Sequence, residues 1–283
     1  MGDHSKARAL TEESTMRPTA LIELMNKAMD GVTVAFDGLT EEQWSTATDC
    51  PGWDVKDNLS HIIGTEHFLI GKTPTSHRAP QFDYVKNPIG EMNENEIDVR
   101  RPRSGAEVYA EWKQIASERA HHLATADDAY FDTPWHMPTG PGTLGEFLAI
   151  RVLDLWVHEQ DIRRALGKPG HESGPVAEHT IDRLIRTLPI VIGKRAATPE
   201  GDTVVIELTG GVTRTIPITV VEGRARIVEN EPANPRCTIT IDSTTFLALA
   251  TGRGNPADHL GGVNMSGNTE LATRVVMQLN MMI

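Results

Sequence analysis

The sequence predicts an α+β fold in which an N-terminal four-helix bundle is followed by a smaller α+β domain with an antiparallel sheet. In the first half, from Leu21 to Val32 for example, apolar residues recur at helical spacing. Between residues 203 and 242, β-branched residues instead alternate with polar ones in short runs separated by Gly, Asn and Pro. The 283 residues also suit two domains of roughly 150 residues each. We therefore expect one domain over residues 14–170 and a second over residues 171–283.

Four long helices are predicted in the first domain, which is typical of an antiparallel bundle. They cover about residues 17–37, 54–71, 104–124 and 143–167. Asp54 can cap the second helix, with Asp57 at the capping-box distance, and Ser104 can cap the third. The polar stretch from Thr73 to Arg103 is interpreted as a long irregular excursion. The segment TPWHMPTGPGTLG is interpreted as a loop, because its GxGxxG pattern follows no strand.

The second domain combines helices with strands. One helix is predicted between Pro175 and Ala196, and two more begin with Ser243 and Asn268 as N-caps. Strands are predicted at the runs TVVIEL, TRTIPITVV, ARIVEN and CTITID. We expect these strands to form an antiparallel sheet that packs against the helices.

Charge and composition argue against several classes of partner. The formal net charge is −12, from 27 basic and 39 acidic residues, so the protein is expected to repel phosphate backbones and not to bind nucleic acid. No apolar run reaches the roughly 18 residues that a membrane span requires. The N-terminal stretch MGDHSKARALTEESTM lacks the apolar core of a signal peptide and is expected to be a loose tail. With only Cys50 and Cys237, far apart in sequence, we expect a cytoplasmic protein with reduced thiols.

The segment RVLDLWVHEQDIRRALG places polar residues on the apolar side of a helix. At about 100° per residue, Asp154, His158 and Asp161 share the face that points into the bundle, and the first two are i,i+4 neighbours. Glu159 and Arg163 are expected to point the other way, toward solvent. A buried carboxylate and imidazole are costly unless they pair or hold a metal. This helix alone leaves a satisfied core pair and a metal site both open.

A second histidine favours the metal. His61 lies on the second predicted helix, on the same flank as Asn58, and ligands from facing helices of a four-helix bundle converge on its axis. With Asp154 and His158 it would complete a set of two histidines and one carboxylate. Three protein ligands leave one position of a tetrahedral zinc open, which is typical of catalytic sites. Cys50 is interpreted as a small buried residue, because the sequence places no base beside it.

Two helical segments carry a resemblance to a known family. DCPGWDVKDNLSHIIGTE resembles the N-terminal signature of the mycothiol-dependent maleylpyruvate isomerase family, within the DinB-like four-helix superfamily. RVLDLWVHEQDIRRALG resembles its second signature, in which an acidic residue precedes a histidine by four. CTITIDSTTFLALATGRG and VNMSGNTELATRVVMQL are similar to the sterol-carrier-like domain often fused to this bundle. The resemblance spans about residues 17–283 and implies a DinB-like bundle followed by a sterol-carrier-like domain.

The resemblance also implies an enzyme. It places a zinc ion at His61, Asp154 and His158, although the family often carries Glu where this chain has the shorter Asp154. It further implies mycothiol, the low-molecular-weight thiol of actinobacteria, as a cosubstrate. A thiol that enters the open position loses its proton near neutral pH and becomes a nucleophile. The expected partner is a small electrophile that is either isomerised or conjugated by S-transfer, and the expected state is a monomer or a small homo-oligomer.

Three further residues are candidates around this centre. Asp161 and Arg151 are expected to orient the ligands, with a helix-surface ion pair as the alternative for Arg151. ALATGRG resembles a stretch that faces the family's active site, so Arg253 is a candidate for binding a substrate carboxylate; a cation at a helix C-terminus is the alternative. A non-catalytic binder of an apolar small molecule and a zinc hydrolase stay open as alternative functions.

Overall fold

The computed structural model of the chain describes residues 17–138, 140–230 and 232–281. The predicted N-terminal tail and the predicted domain start at residue 14 lie outside these residues. The elements of the N-terminal half are α1 (Thr19–Phe36), α2 (Glu41–Trp44), α3 (Val55–Leu69), α4 (Pro88–Asp98), α5 (Gly105–Thr125), α6 (Asp128–Asp132), β1 (Pro134–Met137), β2 (Gly140–Thr143) and α7 (Leu144–Ala165). Within the described part of the chain, none of the helices has the length and apolar character needed to cross a bilayer.

Four of these helices form the predicted bundle. α1 packs against α5 and α7, and α3 packs against the same two helices. The large side chains at the centre of the bundle are essentially inaccessible to solvent: Met25, Phe36, Ile62, Trp112 and Trp156. The bundle therefore places α3 and α7 side by side. This arrangement allows His61 of α3 to approach Asp154 and His158 of α7.

Local capping explains why the long helices begin where they do. Asp54 Oδ1 accepts a hydrogen bond from the backbone N–H of Asp57 at 2.8 Å, and the two residues form a full capping box. Ser104 and Thr143 form the equivalent boxes at the starts of α5 and α7. The predicted starts of these three helices are therefore confirmed.

Two segments differ from the prediction. The stretch from Thr73 to Arg103 contains α4, which has only two buried side chains, Glu94 and Ile97, and so lacks the apolar stripe that reveals a helix. The predicted loop before α7 contains a hairpin, in which β1 and β2 pair antiparallel with Pro134 opposite Thr143. Its strands are rich in Pro and Gly, which are depleted in strands generally, so their pairing is not visible in the sequence.

The C-terminal half is a mixed α+β unit. Its elements are α8 (Pro175–Ile185), a π-helical turn (Ile190–Arg195), β3 (Thr203–Thr209), β4 (Arg214–Val221), β5 (Arg224–Ile227), β6 (Cys237–Asp242), α9 (Ser243–Ala250), α10 (Pro256–His259), a 3₁₀ turn (Leu260–Gly262), β7 (Asn264–Gly267) and α11 (Thr269–Met277). The strand order is β5-β4-β3-β6-β7. Every neighbouring pair is antiparallel except the central pair β3 and β6, which is parallel. The predicted α+β class is confirmed.

Two details of this half also differ from expectation. The single helix predicted between Pro175 and Ala196 is interrupted after Ile185, and its second part is the π-helical turn. The cap of α9 is Asp242 rather than Ser243, since Asp242 Oδ1 accepts the backbone N–H of Thr244 at 2.8 Å. The prediction of Asn268 as the cap of α11 is confirmed. The boundary predicted at residue 170 stays a prediction; it falls in the connection between α7 and α8.

A Schellman motif ends α9 and sets the direction of the following chain. The N–H of Arg253 bonds the carbonyl of Ala248 at 2.7 Å, and the N–H of Gly252 bonds that of Leu249 at 3.1 Å. Gly252 has φ +72°, a left-handed conformation that the motif needs and that glycine adopts at little cost. The motif therefore fixes the backbone of Arg253 where its side chain can reach α7.

Candidate metal centre

The structure brings the three predicted ligands together between α3 and α7. His61 Nε2 lies 3.3 Å from Asp154 Oδ2, and His158 Nε2 lies 3.7 Å from Asp154 Oδ1. One ligand atom from each residue falls within 4.8 Å of the other two. The side chains of His61 and His158 are 8% and 7% exposed, and that of Asp154 is 21% exposed, so the carboxylate forms the open side of the cluster.

The donor set and its spacing fit a zinc ion. Two imidazole nitrogens and one carboxylate are a known set for catalytic zinc, with a fourth position left for water or substrate. Bonds of about 2.0–2.2 Å at tetrahedral angles separate neighbouring ligand atoms by about 3.3–3.6 Å. The two histidine–carboxylate distances, 3.3 Å to Oδ2 and 3.7 Å to Oδ1 of Asp154, lie close to that range.

The hydrogen bonds of His158 leave its Nε2 available as a ligand. Its Nδ1 lies 2.9 Å from Asn58 Oδ1. The orientation of the Asn58 amide is fixed, because its Nδ2 donates to Thr48 Oγ1 at 3.1 Å and to the Asp54 carbonyl at 2.9 Å. Asn58 can therefore only accept from His158, and the ring proton belongs on Nδ1. This is the arrangement by which proteins fix the tautomer of a metal-binding histidine.

His61 is held by packing rather than by a second hydrogen bond. Its Nδ1 is buried and has no hydrogen-bond partner among the described residues. The ring of Trp53 covers both imidazoles, with its centre 5.3 Å from that of His61 and 6.0 Å from that of His158. Trp53 Nε1 in turn donates to Glu94 of α4 at 3.1 Å. Burial lowers the pKa of His61, although Asp154 opposes the shift, so the neutral form that can bind a metal is favoured.

Asp154 is the last residue in a row of buried ion pairs. Arg151 donates to Asp154 Oδ2 at 2.5 Å and, through two nitrogens, to Glu66 Oε1 at 2.9 and 2.8 Å. Arg119 donates to the other oxygen of Glu66 at 2.9 Å. Burial alone would raise the pKa of Asp154, but Arg151, with His158 and His61, holds it well below its usual range. Arg151 is itself 3% exposed, so its interaction is not the helix-surface pair considered as an alternative.

Asp161 joins the centre to the C-terminal half. Its Oδ2 lies 3.2 Å from His158 Nδ1, and Arg253 grips both of its oxygens at 2.8–3.1 Å. Arg164 also donates to it. Burial alone would raise the pKa of Asp161, but the hydrogen bond from His158 and the charge of Arg253 lower it, so it remains a carboxylate. Its predicted position beside a histidine ligand agrees with this geometry.

Arg253 lies beside the candidate metal centre, and each of its side-chain nitrogens donates a hydrogen bond. Nε and Nη2 donate to Asp161, and Nη1 donates to the Thr251 carbonyl at 2.8 Å. The second N–H groups of Nη1 and Nη2 are the donors that a substrate carboxylate could use while Asp161 stays in place. The predicted contact of Arg253 with substrate stays a prediction.

Cys50 is buried, as predicted, but the structure places two titratable groups beside it. Its Sγ lies 3.2 Å from Asp161 Oδ2 and 4.0 Å from His158 Nδ1. These three residues form a second cluster of potential metal ligands that shares His158 with the first. Burial and the charge of Asp161 raise the pKa of the Cys50 thiol, so it is a thiol rather than a nucleophilic thiolate at neutral pH.

The prediction that Glu159 points to solvent is wrong. Its side chain is fully buried and accepts hydrogen bonds from Arg163 Nε at 2.8 Å and from His171 Nδ1 at 2.8 Å. α1 covers this face of α7, and a side chain at Gly31 of α1 would collide with Glu159. α7 is therefore buried on more faces than the helical wheel predicts.

Two protein-family profiles together match most of the chain. Residues 25–163 match the profile of the mycothiol maleylpyruvate isomerase N-terminal domain, and residues 178–274 match that of the C-terminal domain of the same enzymes. The chain belongs to the mycothiol-dependent maleylpyruvate isomerase family. No curated protein matches its sequence.

Solved structures show the same fold as this family member. A crystal structure of the mycothiol-dependent maleylpyruvate isomerase superposes with a TM-score of 0.52 at 15% sequence identity, covering 89% of this chain and 93% of that one. A mutant of that enzyme, with one histidine replaced by alanine, gives a TM-score of 0.51 at the same identity and coverage. The predicted order of a helical bundle followed by a smaller α+β domain is confirmed at the level of fold.

Several residues around the candidate metal centre were not predicted from the sequence. Asn58 lies one helical turn before His61 and shares its flank, so a hydrogen-bonding role could have been suggested from spacing. Glu66 and Trp53 carry no such local signal, because their partners come from other helices.

Proposed function

We propose that the protein is an isomerase-type enzyme that uses mycothiol as a nucleophile at a zinc ion held by His61, Asp154 and His158. The observation that carries the proposal is the convergence of these three ligand atoms, with the carboxylate on the open side. Membership of the mycothiol-dependent maleylpyruvate isomerase family supports the choice of thiol and of reaction type.

The surrounding residues prepare the ligand atoms. Asn58 and Asp161 keep the proton of His158 on Nδ1, and Arg151 keeps Asp154 ionised and oriented. When bound, zinc supplies the positive charge that favours the deprotonated form of a thiol near neutral pH. Trp53 and the neighbouring helices limit the access of water to the two imidazoles.

The same first step serves two reactions. The thiolate adds to an electrophilic carbon, and the electron pair moves to an adjacent conjugated atom or leaves with a departing group. In the first case, rotation and loss of the thiol complete an isomerisation; in the second, the product is a thioether from S-transfer. Family membership favours isomerisation, and the site as described is compatible with either reaction.

A thiol-dependent assay on protein of known metal content tests the proposal. Protein purified without chelators should contain about one zinc per chain. Turnover of a small electrophile should require mycothiol and should saturate with it, because the thiol occupies a site. His121→Ala, which removes an exposed histidine of α5, serves as the matched control for His158→Ala.

The alternatives give different results in the same assay. Equal rates without any thiol would indicate a zinc hydrolase. Less than about a tenth of an equivalent of divalent metal, with no turnover but with retention of an apolar ligand, would indicate a binding protein instead.

A further inference from the structure

The two proposed histidine ligands are held in different ways. His158 Nδ1 lies 2.9 Å from Asn58 Oδ1, an acceptor within the bundle. His61 Nδ1 is buried, and no hydrogen-bond partner faces it in the part of the chain that the structure describes. A metal-binding histidine almost always donates its second ring N–H to an acceptor, which fixes the direction of the ring. The direction of the His61 ring therefore depends on the side chains packed around it.

The indole of Trp53 confines the His61 ring on one side. The two ring centres lie 5.3 Å apart at an interplanar angle of 34°. His158 meets the His61 ring edge-on, with the ring centres 4.9 Å apart at an interplanar angle of 67°. The Nε2 atom of His61 lies 3.3 Å from Asp154 Oδ2. A rotation of the His61 ring toward Trp53 thus requires the indole to move.

Trp53 is fixed at both ends. Its backbone carbonyl accepts from the N–H and the hydroxyl of Thr48 at 3.1 and 2.9 Å, and its backbone N–H donates to the Cys50 carbonyl at 3.0 Å. At the other end, the indole Nε1 donates to Glu94 Oε2 at 3.1 Å. A tryptophan side chain has only two torsion angles, so these bonds fix the plane of the indole.

Glu94 belongs to α4, which is not one of the four bundle helices, and three donors hold its carboxylate. The side chain of Glu94 is 2% exposed, and its Oε1 accepts from the Tyr84 hydroxyl at 2.9 Å and lies 2.6 Å from Arg101 Nη2. Hydrogen bonds to an ionised group are roughly twice as strong as those between neutral groups. A series of contacts therefore connects Arg101 and Tyr84, through Glu94 and Trp53, with His61.

We propose that Glu94 is a positioning residue for the metal centre, which acts through Trp53 to hold His61 in the direction that lets its Nε2 bind zinc. This inference rests on the proposed function. The segment between α3 and α5 then contributes to metal affinity, although it supplies none of the three proposed ligands. In a purely structural role, Glu94 would fasten α4 to the bundle and would affect the stability of the fold, but not the affinity of the folded protein for zinc.

Glu94→Gln tests the series of contacts at its middle. Both Glu94 oxygens accept, Oε2 from Trp53 and Oε1 from Tyr84 and Arg101, whereas an amide has one accepting oxygen. A guanidinium cannot accept, so the amide oxygen stays with Arg101 and the NH2 group faces the indole N–H. The zinc affinity, measured by competition with a chromophoric chelator, should fall about tenfold. Glu96→Gln, also on α4 and also paired with an arginine, should leave it unchanged.

Two further readouts distinguish positioning from a structural role. The visible absorption of Co²⁺-loaded protein, which depends on ligand geometry, should change in Glu94→Gln and not in Glu96→Gln. Trp53→Phe keeps an aromatic ring and the pair of Glu94 and Arg101, but removes the indole N–H. It should also weaken zinc binding, and Glu94→Gln should have no further effect in this background, because the bond that it alters is already absent.

Equal zinc affinity in the parent and in Glu94→Gln would overturn the inference. An undiminished effect of Glu94→Gln in the Trp53→Phe background would overturn it as well, since Glu94 would then act by another route. Where Glu94→Gln does not fold, Glu94→Asp replaces it in the same comparisons, because the shorter side chain keeps the charge but cannot reach both Trp53 and Arg101.

The parent protein separates this inference from the function on which it depends. Absence of zinc binding by the parent would refute the proposed function and with it the positioning role. Zinc binding that is the same in the parent and in Glu94→Gln, together with thiol-dependent turnover, would refute the positioning role and leave the proposed function standing. Zinc binding that depends on Glu94, without thiol-dependent turnover, would support the positioning of His61 and refute the proposed reaction.

Discussion

Arg253 and Asp161 form a bidentate ion pair that joins the C-terminal half of the chain to a ligand-bearing helix. The guanidinium contacts both carboxylate oxygens, and Asp161 Oδ2 lies 3.2 Å from Nδ1 of His158. The pair is almost inaccessible to solvent, with side-chain exposures of 13% and 0%. The orientation of one histidine in the bundle therefore depends on a residue more than ninety positions away.

Replacing Arg253 by lysine should weaken metal binding. An ammonium group cannot span both oxygens of Asp161, so the support of His158 becomes looser. We expect the zinc affinity to fall about tenfold, the lower end of the range for such supporting partners. Competition with a chromophoric chelator measures it. Arg214→Lys, in a partly exposed pair with Asp182 in the C-terminal half, is the control. An unchanged affinity in Arg253→Lys would show that Arg253 does not support the metal centre.

His158→Ala should remove the metal and leave the bundle folded. Its imidazole is one of the three proposed ligands, whereas the core of the bundle is built from other side chains. Elemental analysis should therefore show loss of zinc while circular dichroism stays close to that of the parent. His121→Ala should keep both. Full zinc content in His158→Ala would support a core pair of Asp154 and His158 in place of a metal site.

Glu66→Gln should destabilise the fold. Glu66 is inaccessible to solvent and accepts from Arg119 and Arg151, so the variant leaves two buried guanidinium groups without their shared counter-charge. Breaking a buried pair from one side costs about 3–5 kcal/mol of unfolding free energy. Urea denaturation measures this value. Glu178→Gln, at a 54% exposed carboxylate, should change it by less than about 0.5 kcal/mol, and an equally small effect of Glu66→Gln would show that the row of buried ion pairs is not stabilising.

The stability of the protein should depend on Asp57 between pH 4 and pH 6. Burial and the charge of Asp54 raise the pKa of Asp57 from 3.8 to about 6, although Arg101 opposes the shift. Protonated Asp57 thus favours the folded state below about pH 4, and this contribution is lost as the pH rises through about 6. A difference of about two in the pKa of Asp57 between the folded and unfolded chains corresponds to at most about 3 kcal/mol of unfolding free energy.

The corresponding measurement compares the parent with Asp57→Asn by urea denaturation at several pH values. The variant should lose less stability than the parent over this window, while Asp83→Asn, at an exposed site, should follow the parent. Parallel curves for the parent and Asp57→Asn would show that this carboxyl titrates in the same way in the folded and unfolded chains.

What the sequence could predict was local. The starts of α3, α5 and α7 depend on capping residues within three positions of each other, and the pair of Asp154 and His158 depends on i,i+4 spacing. α4 escaped notice because it buries a carboxylate, Glu94, in place of an apolar stripe. The hairpin was not predicted because its strands contain Pro and Gly rather than strand-forming residues; both strands contact α7.

The rest of the site depends on chain segments that are far apart. The contact of Cys50 with Asp161 spans 111 positions, and that of Arg253 with Asp161 spans 92. No periodicity within one element can indicate such contacts. The error at Glu159 has the same origin, since the wheel gives the direction of a side chain but not whether α1 and His171 cover that direction.

Trp53 gives the intact protein a natural optical probe of its centre. Its indole lies against the imidazoles of both His61 and His158, so the arrival or loss of a dication changes the electric field at the ring. The emission of this tryptophan is therefore expected to shift with occupancy. Because the signal needs no added label, stopped-flow mixing can follow how fast the centre fills and empties, and a Trp53→Phe variant identifies the part of the signal that belongs to it.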